Sequence, residues 1–346
     1  MYFCVLESLS RRNVKRYSWR CGLVMLYTFK GEITADNSIR VPDDMPDFHH
    51  LTATSQLDRN FIEGSLFPLC ETLRNGRSAD GRLSGLALYS LFYEPSLLTR
   101  TSFERAMGLL GGQIYRTEDA SQFFPVSNAS QMDNVIKILA SMRIDVVVLR
   151  SSAPGVVERA VFADALTVIN GGSADDHPTQ ALADLYTLQR EFGGIDGTNI
   201  AVVGRLEHRN VNALLSGLAL FDGVCATLIP VSGGVDPDVL AYCRERGLRV
   251  DVESELDALQ AADAIYLNAP RTLAHARLLR SRGALNLRID GDFMARLKQH
   301  CVIMEPMQRS GDFTVEVEDD RLAFYRQSEN ALVMRMAILA ELFGKR

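Results

Sequence analysis

The sequence lacks the features of a membrane-anchored or disulfide-stabilised protein. No apolar run approaches the ~20 residues that span a bilayer. The apolar stretch 21–29 follows five basic residues but is too short to span and has no convincing cleavage site after it. An added β element, or a translation start assigned too early, explains it better than targeting. The six cysteines are scattered, without a Cys-x-x-Cys pair. These absences predict buried thiols in a reduced, cytoplasmic compartment and no membrane partner.

The sequence also lacks an excess of positive charge and any cofactor signature. Its net charge of −6 and isoelectric point near 5.6 argue against a nucleic acid or an acidic membrane as partner. No His, Cys and Asp residues occur at the spacing of metal ligands, and Gly204 is not followed by the dinucleotide fingerprint. We therefore expect no metal and no organic cofactor.

What the sequence does contain is a regular alternation of strand and helix patterns. A chain of 346 residues, 47% hydrophobic and 23% charged, is typical of a soluble protein with two domains. The alternation predicts an α/β fold of two doubly wound parallel sheets with helices on both faces. Strands are expected at 83–92, 114–115, 144–150, 166–169, 200–203, 226–230, 248–252 and 264–267. Helices are expected at 55–73, 102–110, 132–142, 177–192, 210–221, 236–246, 253–261 and 330–343, the last packing back on the first half.

The segment 92–104 joins a predicted strand to a predicted helix, and the rest of the chain is organised around it. A strand end, a Pro/Ser turn and a helix N-terminus aim backbone N–H groups and hydroxyls at one point, which suits an anion. A capped turn in any α/β protein has the same spacing. The spacing alone therefore leaves both interpretations open.

These residues also resemble a known motif, the carbamoyl-phosphate loop of the aspartate/ornithine carbamoyltransferase family. The family pattern Glu-Pro/Ala-Ser-Thr-Arg-Thr-Arg-x-Ser-Phe-Glu aligns without gaps with residues 94–104. Ser96 and Thr99 match it, and the resemblance implies that they bind carbamoyl phosphate. Leu97 stands where the family has Thr, and Leu98 replaces the Arg that grips the phosphate and carbamoyl oxygens.

A second motif, His177-Pro178-Thr179-Gln180, strengthens the resemblance. A lone His before a proline is more often a helix cap or a packed ring. In the family, this His and Gln hydrogen-bond the carbamoyl carbonyl and its amide, and a preorganised donor there lowers the barrier of carbamoyl transfer. The resemblance implies catalytic roles for His177, Gln180 and Thr99, and a phosphate-binding role for Arg150 at its strand end.

The acceptor side of the family site is altered. By alignment, Arg209 holds a carboxylate of the amino-acid substrate, and 220–223 favours the aspartate branch. Ala269 replaces a substrate-binding Arg, with Arg271 falling two residues later as a further candidate. Met307 is the third acceptor-site candidate, in the turn that replaces the family's His-Pro-Leu-Pro. Ser127 aligns with the lysine that a neighbouring subunit inserts.

The resemblance covers about residues 50–345 and implies a division of the chain. An N-terminal extension (1–45) precedes a carbamoyl-phosphate-type domain (46–180), an amino-acid-type domain (181–325) and a C-terminal helix (326–346). It also implies a homotrimer with sites between subunits. The expected partners are carbamoyl phosphate or an analogue, an amino acid, and further copies or an active homologue.

Two functional hypotheses follow. In the first, the protein is an enzyme diverged from aspartate carbamoyltransferase that transfers a carbamoyl or related acyl group to an amino-acid-like amine; His177 and Gln180 favour it. In the second, it is a catalytically inactive member that binds a metabolite or assembles with an active homologue; Leu98 favours it.

Overall fold

The computed structural model describes residues 32–33, 39–40, 50–75, 81–117, 119–122, 131–268, 287–306 and 313–343. The chain divides into two units, 1–47 and 48–346. In the first, strands β1 (Glu32–Ile33) and β2 (Ile39–Arg40) pair antiparallel. The stretch 21–29 lies outside the described residues. Within the described part, no helix has the length and apolar character needed to cross a membrane.

The second unit opens with a helical segment and a four-stranded parallel sheet. Asp58 caps the first helix by accepting from the backbone N–H of Phe61 at 2.9 Å. The helical pieces are α1 (Arg59–Phe61), a π turn (Ile62–Leu66) and α2 (Phe67–Arg74). The sheet runs in the order β4-β3-β5-β6, with strands β3 (Ala87–Phe92), β4 (Gln113–Arg116), β5 (Val146–Arg150) and β6 (Thr167–Asn170). Its connecting helices are α3 (Leu97–Leu109), α4 (Met132–Ser141) and α5 (Val156–Phe162).

A second parallel sheet has five strands. Helix α6 (Pro178–Phe192) leads into it and ends at Gly193, whose φ of 77° suits a glycine. The strand order is β12-β10-β7-β8-β9, with β7 (Asn199–Arg205), β8 (Cys225–Ser232), β9 (Arg249–Val252), β10 (Ala264–Asn268) and β12 (Val302–Met304). A small parallel pair is formed by β11 (Arg288–Ile289) and β13 (Thr314–Val315). The remaining helices are α7 (Arg209–Leu218), α8 (Pro237–Glu245), α9 (Gly291–Arg296) and α10 (Phe324–Phe343).

The predicted α/β class is confirmed. Each sheet buries near-continuous apolar strands, as parallel sheets covered on both faces do. Helix α10 packs against α2, α3 and α6, back on the first half of the fold. Cys70, Cys243 and Cys301 are buried free thiols, as predicted, and Cys225 is half-buried.

Three element predictions are corrected. Helix α3 begins at Leu97 and not at Ser102. Ser96, directly after Pro95, is its extended N-cap, and no proline or glycine between Leu97 and Ser102 interrupts the helix. Strand β3 begins at Ala87, since the residues before it form a turn around Gly85. The helix expected at 253–261 is only a 3-10 turn, Leu256–Ala261. The shift in α3 matters most, because it places Leu98 and Thr99 in the first helical turn.

Candidate active site

The carboxyl ends of three neighbouring strands bring the first site residues together. Glu94 follows β3, Arg150 ends β5, and the loop 171–176 follows β6. Parallel neighbours end at the same sheet edge, which is where α/β folds bind ligands. The Arg150 guanidinium Nη1 donates to the carbonyl of Gly171 at 3.1 Å. The Arg150 side chain therefore contacts the loop that leads to His177.

His177 is buried and lies against Thr99. Its Nε2 is 3.3 Å from Thr99 Oγ1, and its Nδ1 is 3.4 Å from Thr179 Oγ1. Burial, followed by the positive charges of Arg150 and Arg209, lowers the pKa of His177 well below its ordinary value. The imidazole is therefore neutral at pH 7. A neutral ring with Thr99 beside it can hydrogen-bond a carbonyl oxygen and stabilise charge that develops there.

Gln180 is held by a buried carboxylate. Its amide Nε2 donates to Asp184 Oδ1 at 2.8 Å. Asp184 also accepts from Gln327 Nε2 at 2.7 Å and from the Tyr266 hydroxyl at 2.8 Å. Because Asp184 engages the Nε2 end, the Oε1 of Gln180, which Arg335 Nη2 approaches at 3.5 Å, can use its second lone pair to accept from an amide N–H of a ligand. Asp184 is thus a positioning residue for Gln180.

Asp184 gives the protein an unusual pH dependence. Burial raises its pKa to about 6, against the hydrogen bonds of Gln327, Tyr266 and Gln180 that lower it. A carboxyl whose folded-state pKa lies above its unfolded value of about 3.8 contributes stability below pH 3.8 that is lost by pH 6. At 1.36 kcal/mol per pKa unit, the loss is about 3 kcal/mol.

We therefore expect the stability of wild type relative to Asp184→Asn to fall by about 2 kcal/mol as pH rises from 4 to 6, which is most of the full loss. Urea unfolding at pH steps across this range measures it. Parallel stability curves for the two proteins would show that Asp184 does not titrate there.

Arg209 joins the cluster from the second sheet. It begins α7, and its Nη1 donates to Ser152 Oγ at 3.2 Å and to the carbonyl of Ser173. Its Nη2 is 3.1 Å from Glu94 Oε2, and the same oxygen is 3.8 Å from Arg150 Nε. Burial raises the pKa of Glu94, but hydrogen bonds from Ser152 and Arg209 and the charge of Arg150 bring it below its ordinary value. An ionised Glu94 therefore holds both guanidinium groups at one place.

Leu98 stands at the position where the family pattern has an arginine. Leu98 lines a cavity together with Gln180, whereas Leu97 is 62% exposed. Arg100 does not take its place in that cavity, since its Nε lies 3.8 Å from Glu104 one helical turn on. Ser96 makes no side-chain cap to α3, so its hydroxyl does not occupy the N–H groups of the first turn.

Sequence reasoning missed two buried groups that touch Gln180. One is Asp184, which the helical pattern of α6 treats as an ordinary polar position. The other is Arg335, whose Nη2 is 3.5 Å from Gln180 Oε1. Its one sequence signal is that it is the single charged residue between Glu329 and Glu341.

Some predicted features lie outside the described residues. They are Arg271, Met307, Ala269 and the loop around Ser127. Among the residues that the structure does describe, no group of three His, Cys, Asp or Glu side chains could hold a metal ion. Of the predicted site residues, the structure therefore describes Ser96, Thr99, Arg150, His177, Gln180 and Arg209.

Comparisons with known proteins agree with this architecture. The model of the aspartate/ornithine carbamoyltransferase carbamoyl-P binding domain matches residues 49–190, and that of the Asp/Orn binding domain matches 196–342. A chloroplastic aspartate carbamoyltransferase of Arabidopsis thaliana is 31% identical over 82% of this chain and 75% of its own. The aspartate carbamoyltransferase catalytic subunit of Pyrobaculum arsenaticum is 31% identical over 81% of this chain and 94% of its own.

Solved structures are similar in the same way. The catalytic subunit of M. jannaschii aspartate transcarbamoylase is 26% identical, with a TM-score of 0.74 over 86% of this chain and 99% of its own. The Trypanosoma cruzi aspartate transcarbamoylase, in complex with carbamoyl phosphate and aspartate, is 29% identical, with a TM-score of 0.74 over 84% of this chain and 95% of its own. The chain therefore belongs to the aspartate/ornithine carbamoyltransferase family.

Proposed function

We propose that this protein transfers a carbamoyl or closely related acyl group from an acyl phosphate to the amine of an amino acid. One observation carries the proposal: Thr99 Oγ1 lies 3.3 Å from His177 Nε2, beside the cluster of Arg150 and Arg209. These side chains come from four different segments of the chain. Hydrogen-bond donors for a carbonyl oxygen thus lie next to cations that can bind a phosphate leaving group.

In the proposed reaction the acceptor amine attacks the carbonyl carbon of the donor. The C–N bond forms, the C–O bond to phosphate breaks, and the proton lost by the amine leaves with the phosphate. His177 and Thr99 hydrogen-bond the carbonyl oxygen, where negative charge develops. Gln180 Oε1 accepts from the carbamoyl amide. Arg150, Ser96 and the N–H groups of the first turn of α3 take the departing anion.

The acceptor is held through its carboxylate by Arg209, with Arg271 and Met307 proposed as further contacts. The altered acceptor loop, with Ala269 in place of an arginine, favours an amino acid other than aspartate. We further propose the division into a donor domain (46–180) and an acceptor domain (181–325), a homotrimer, and a cytoplasmic location.

A product screen tests the proposal. The full chain is incubated with carbamoyl phosphate and each of the common amino acids, and ureido product and free phosphate are measured together. We expect one amino acid or a small group to give both in equal amounts. No ureido product with any of them would refute the transfer.

The non-catalytic hypothesis is kept because of Leu98, which removes a charge-assisted bond of about 1.5–3 kcal/mol at the donor phosphate. It predicts saturable binding of carbamoyl phosphate without ureido product. The same screen, run beside a calorimetric titration, separates the two hypotheses.

A further inference from the structure

Arg335 is a buried cation without an ion pair among the described residues. It lies in α10 within an otherwise uncharged stretch, and none of its side chain is exposed. Its guanidinium carbon is 5.3 Å from the ring centre of Phe103, and its Nη2 is 3.5 Å from Gln180 Oε1. Its Nε and Nη1 have no hydrogen-bond partner among the described residues. Burying a guanidinium with two unsatisfied nitrogens is costly, so such an arrangement calls for a reason.

Asp184 does not neutralise Arg335 directly. Its two oxygens already accept from three donors, Gln180, Gln327 and Tyr266. Its negative charge raises the pKa of Arg335, but burial outweighs it and lowers that pKa to about 10. At neutral pH Arg335 therefore keeps its charge, and its Nε and Nη1 have no hydrogen-bond partner among the described residues.

Arg335 borders a cavity of about 380 Å³ between α3 and α10, a size typical of a small-molecule site. Leu98 and Gln180 line the same cavity. An arginine at position 98, as in the family pattern, would therefore project into the space that Arg335 borders. Arg105 and Glu305 line it too, and Glu305, as an acid, disfavours an anion on its own side. The Arg335 side is where an anion is favoured.

We propose that Arg335 binds the phosphate of the acyl-phosphate donor, in place of the arginine that Leu98 replaces. This inference rests on the proposed function, because it assigns a ligand to the donor site. The cation comes from the last helix and reaches the site beside Gln180. The donor phosphate then accepts hydrogen bonds both from the unsatisfied N–H groups of Arg335 and from the backbone N–H groups at the start of α3.

The test uses the full chain with Arg335→Met, and Arg326→Met as the matched control. Arg326 is also on α10 but pairs with Glu191 at the surface. Calorimetric titrations use inorganic phosphate, carbamoyl phosphate and aspartate separately, and each variant's thermal unfolding is recorded with and without phosphate. We expect Arg335→Met to bind both phosphates about 10- to 100-fold more weakly, and Arg326→Met to bind like wild type.

Thermal unfolding keeps the test informative if binding data alone are ambiguous. Removing an unpaired buried charge should raise the unfolding temperature of Arg335→Met while abolishing its increase on adding phosphate. A lower unfolding temperature with an unchanged phosphate-induced increase would make Arg335 merely structural. Adding Leu98→Arg to Arg335→Met should restore phosphate binding, since it returns a guanidinium to the same cavity.

Several results would overturn the assignment. They are unchanged phosphate affinity in Arg335→Met, weakened binding of aspartate alone, or no recovery with Leu98→Arg. The outcomes also separate this inference from the proposed function. Arg335-dependent phosphate binding without ureido product refutes only the transfer, whereas ureido product with an unchanged donor KM in Arg335→Met refutes only this inference.

Discussion

Replacing His177 by alanine is expected to lower kcat for ureido formation by about 10²–10³-fold while leaving the fold intact. His177 is neutral because burial and two nearby arginines lower its pKa, so it acts through a hydrogen bond and not through charge. A donor fixed before reaction stabilises a developing oxyanion without reorganisation. Its loss should therefore appear in kcat and kcat/KM together.

Steady-state kinetics with the amino acid found in the product screen measure this effect. His300→Ala is the matched control. His300 is an exposed histidine that contacts Asp263, and neither residue is among the proposed site residues. The control should retain wild-type kcat. A His177→Ala protein with unchanged kcat would remove His177 from the reaction.

Replacing Gly172 by alanine should displace the side chains of Arg150, Arg209 and His177, which surround it. Gly172 has a φ of 119°, a backbone conformation that residues with a side chain rarely adopt. A Cβ there would lie 2.9 Å from Arg150 Nη1 and 3.3 Å from both Arg209 Nε and His177 Cδ2. Backbone strain of about 1–3 kcal/mol is expected. Displacement of these groups by up to about 1 Å should lower kcat/KM by about 10²-fold.

Gly194→Ala is the control for this variant, because a Cβ at Gly194 meets nothing within 4 Å and its φ is not left-handed. Thermal unfolding and kcat/KM are measured for both variants. The account requires the loss of kcat/KM in Gly172→Ala to exceed what its lower stability explains at the assay temperature. Wild-type kcat/KM in Gly172→Ala would mean that Arg150, Arg209 and His177 need not be held as the structure shows.

The fold was predictable because its strands carry a strong signal. Buried parallel strands such as β5 are near-continuous apolar runs, and successive strands are separated in the sequence by helices of ordinary length. Element boundaries were less predictable. Helix α3 starts five residues before its apolar spacing does, because Pro95 and Ser96 specify a start that periodicity cannot show.

The proposed donor site was partly predictable for a similar reason. Thr99 and His177 follow strands β3 and β6, and Arg150 ends β5. Neighbouring parallel strands bring such residues to one edge of the sheet. Arg335 could not be placed in this way, since only the packing of α10 across α3 and α6 brings it to Gln180. The same holds for Glu94, whose contact with both Arg150 and Arg209 depends on the relative position of two sheets.

The most direct test of the central claim is a calorimetric titration of the full chain with carbamoyl phosphate at low and high salt. Despite Leu98, we expect saturable binding of one donor per site, weaker at high salt because the contacts are ionic, and reduced at least about 10-fold in Arg150→Gln. Absence of saturable binding, or equal affinity in wild type and a folded Arg150→Gln, would contradict the claim that this cluster is a donor site.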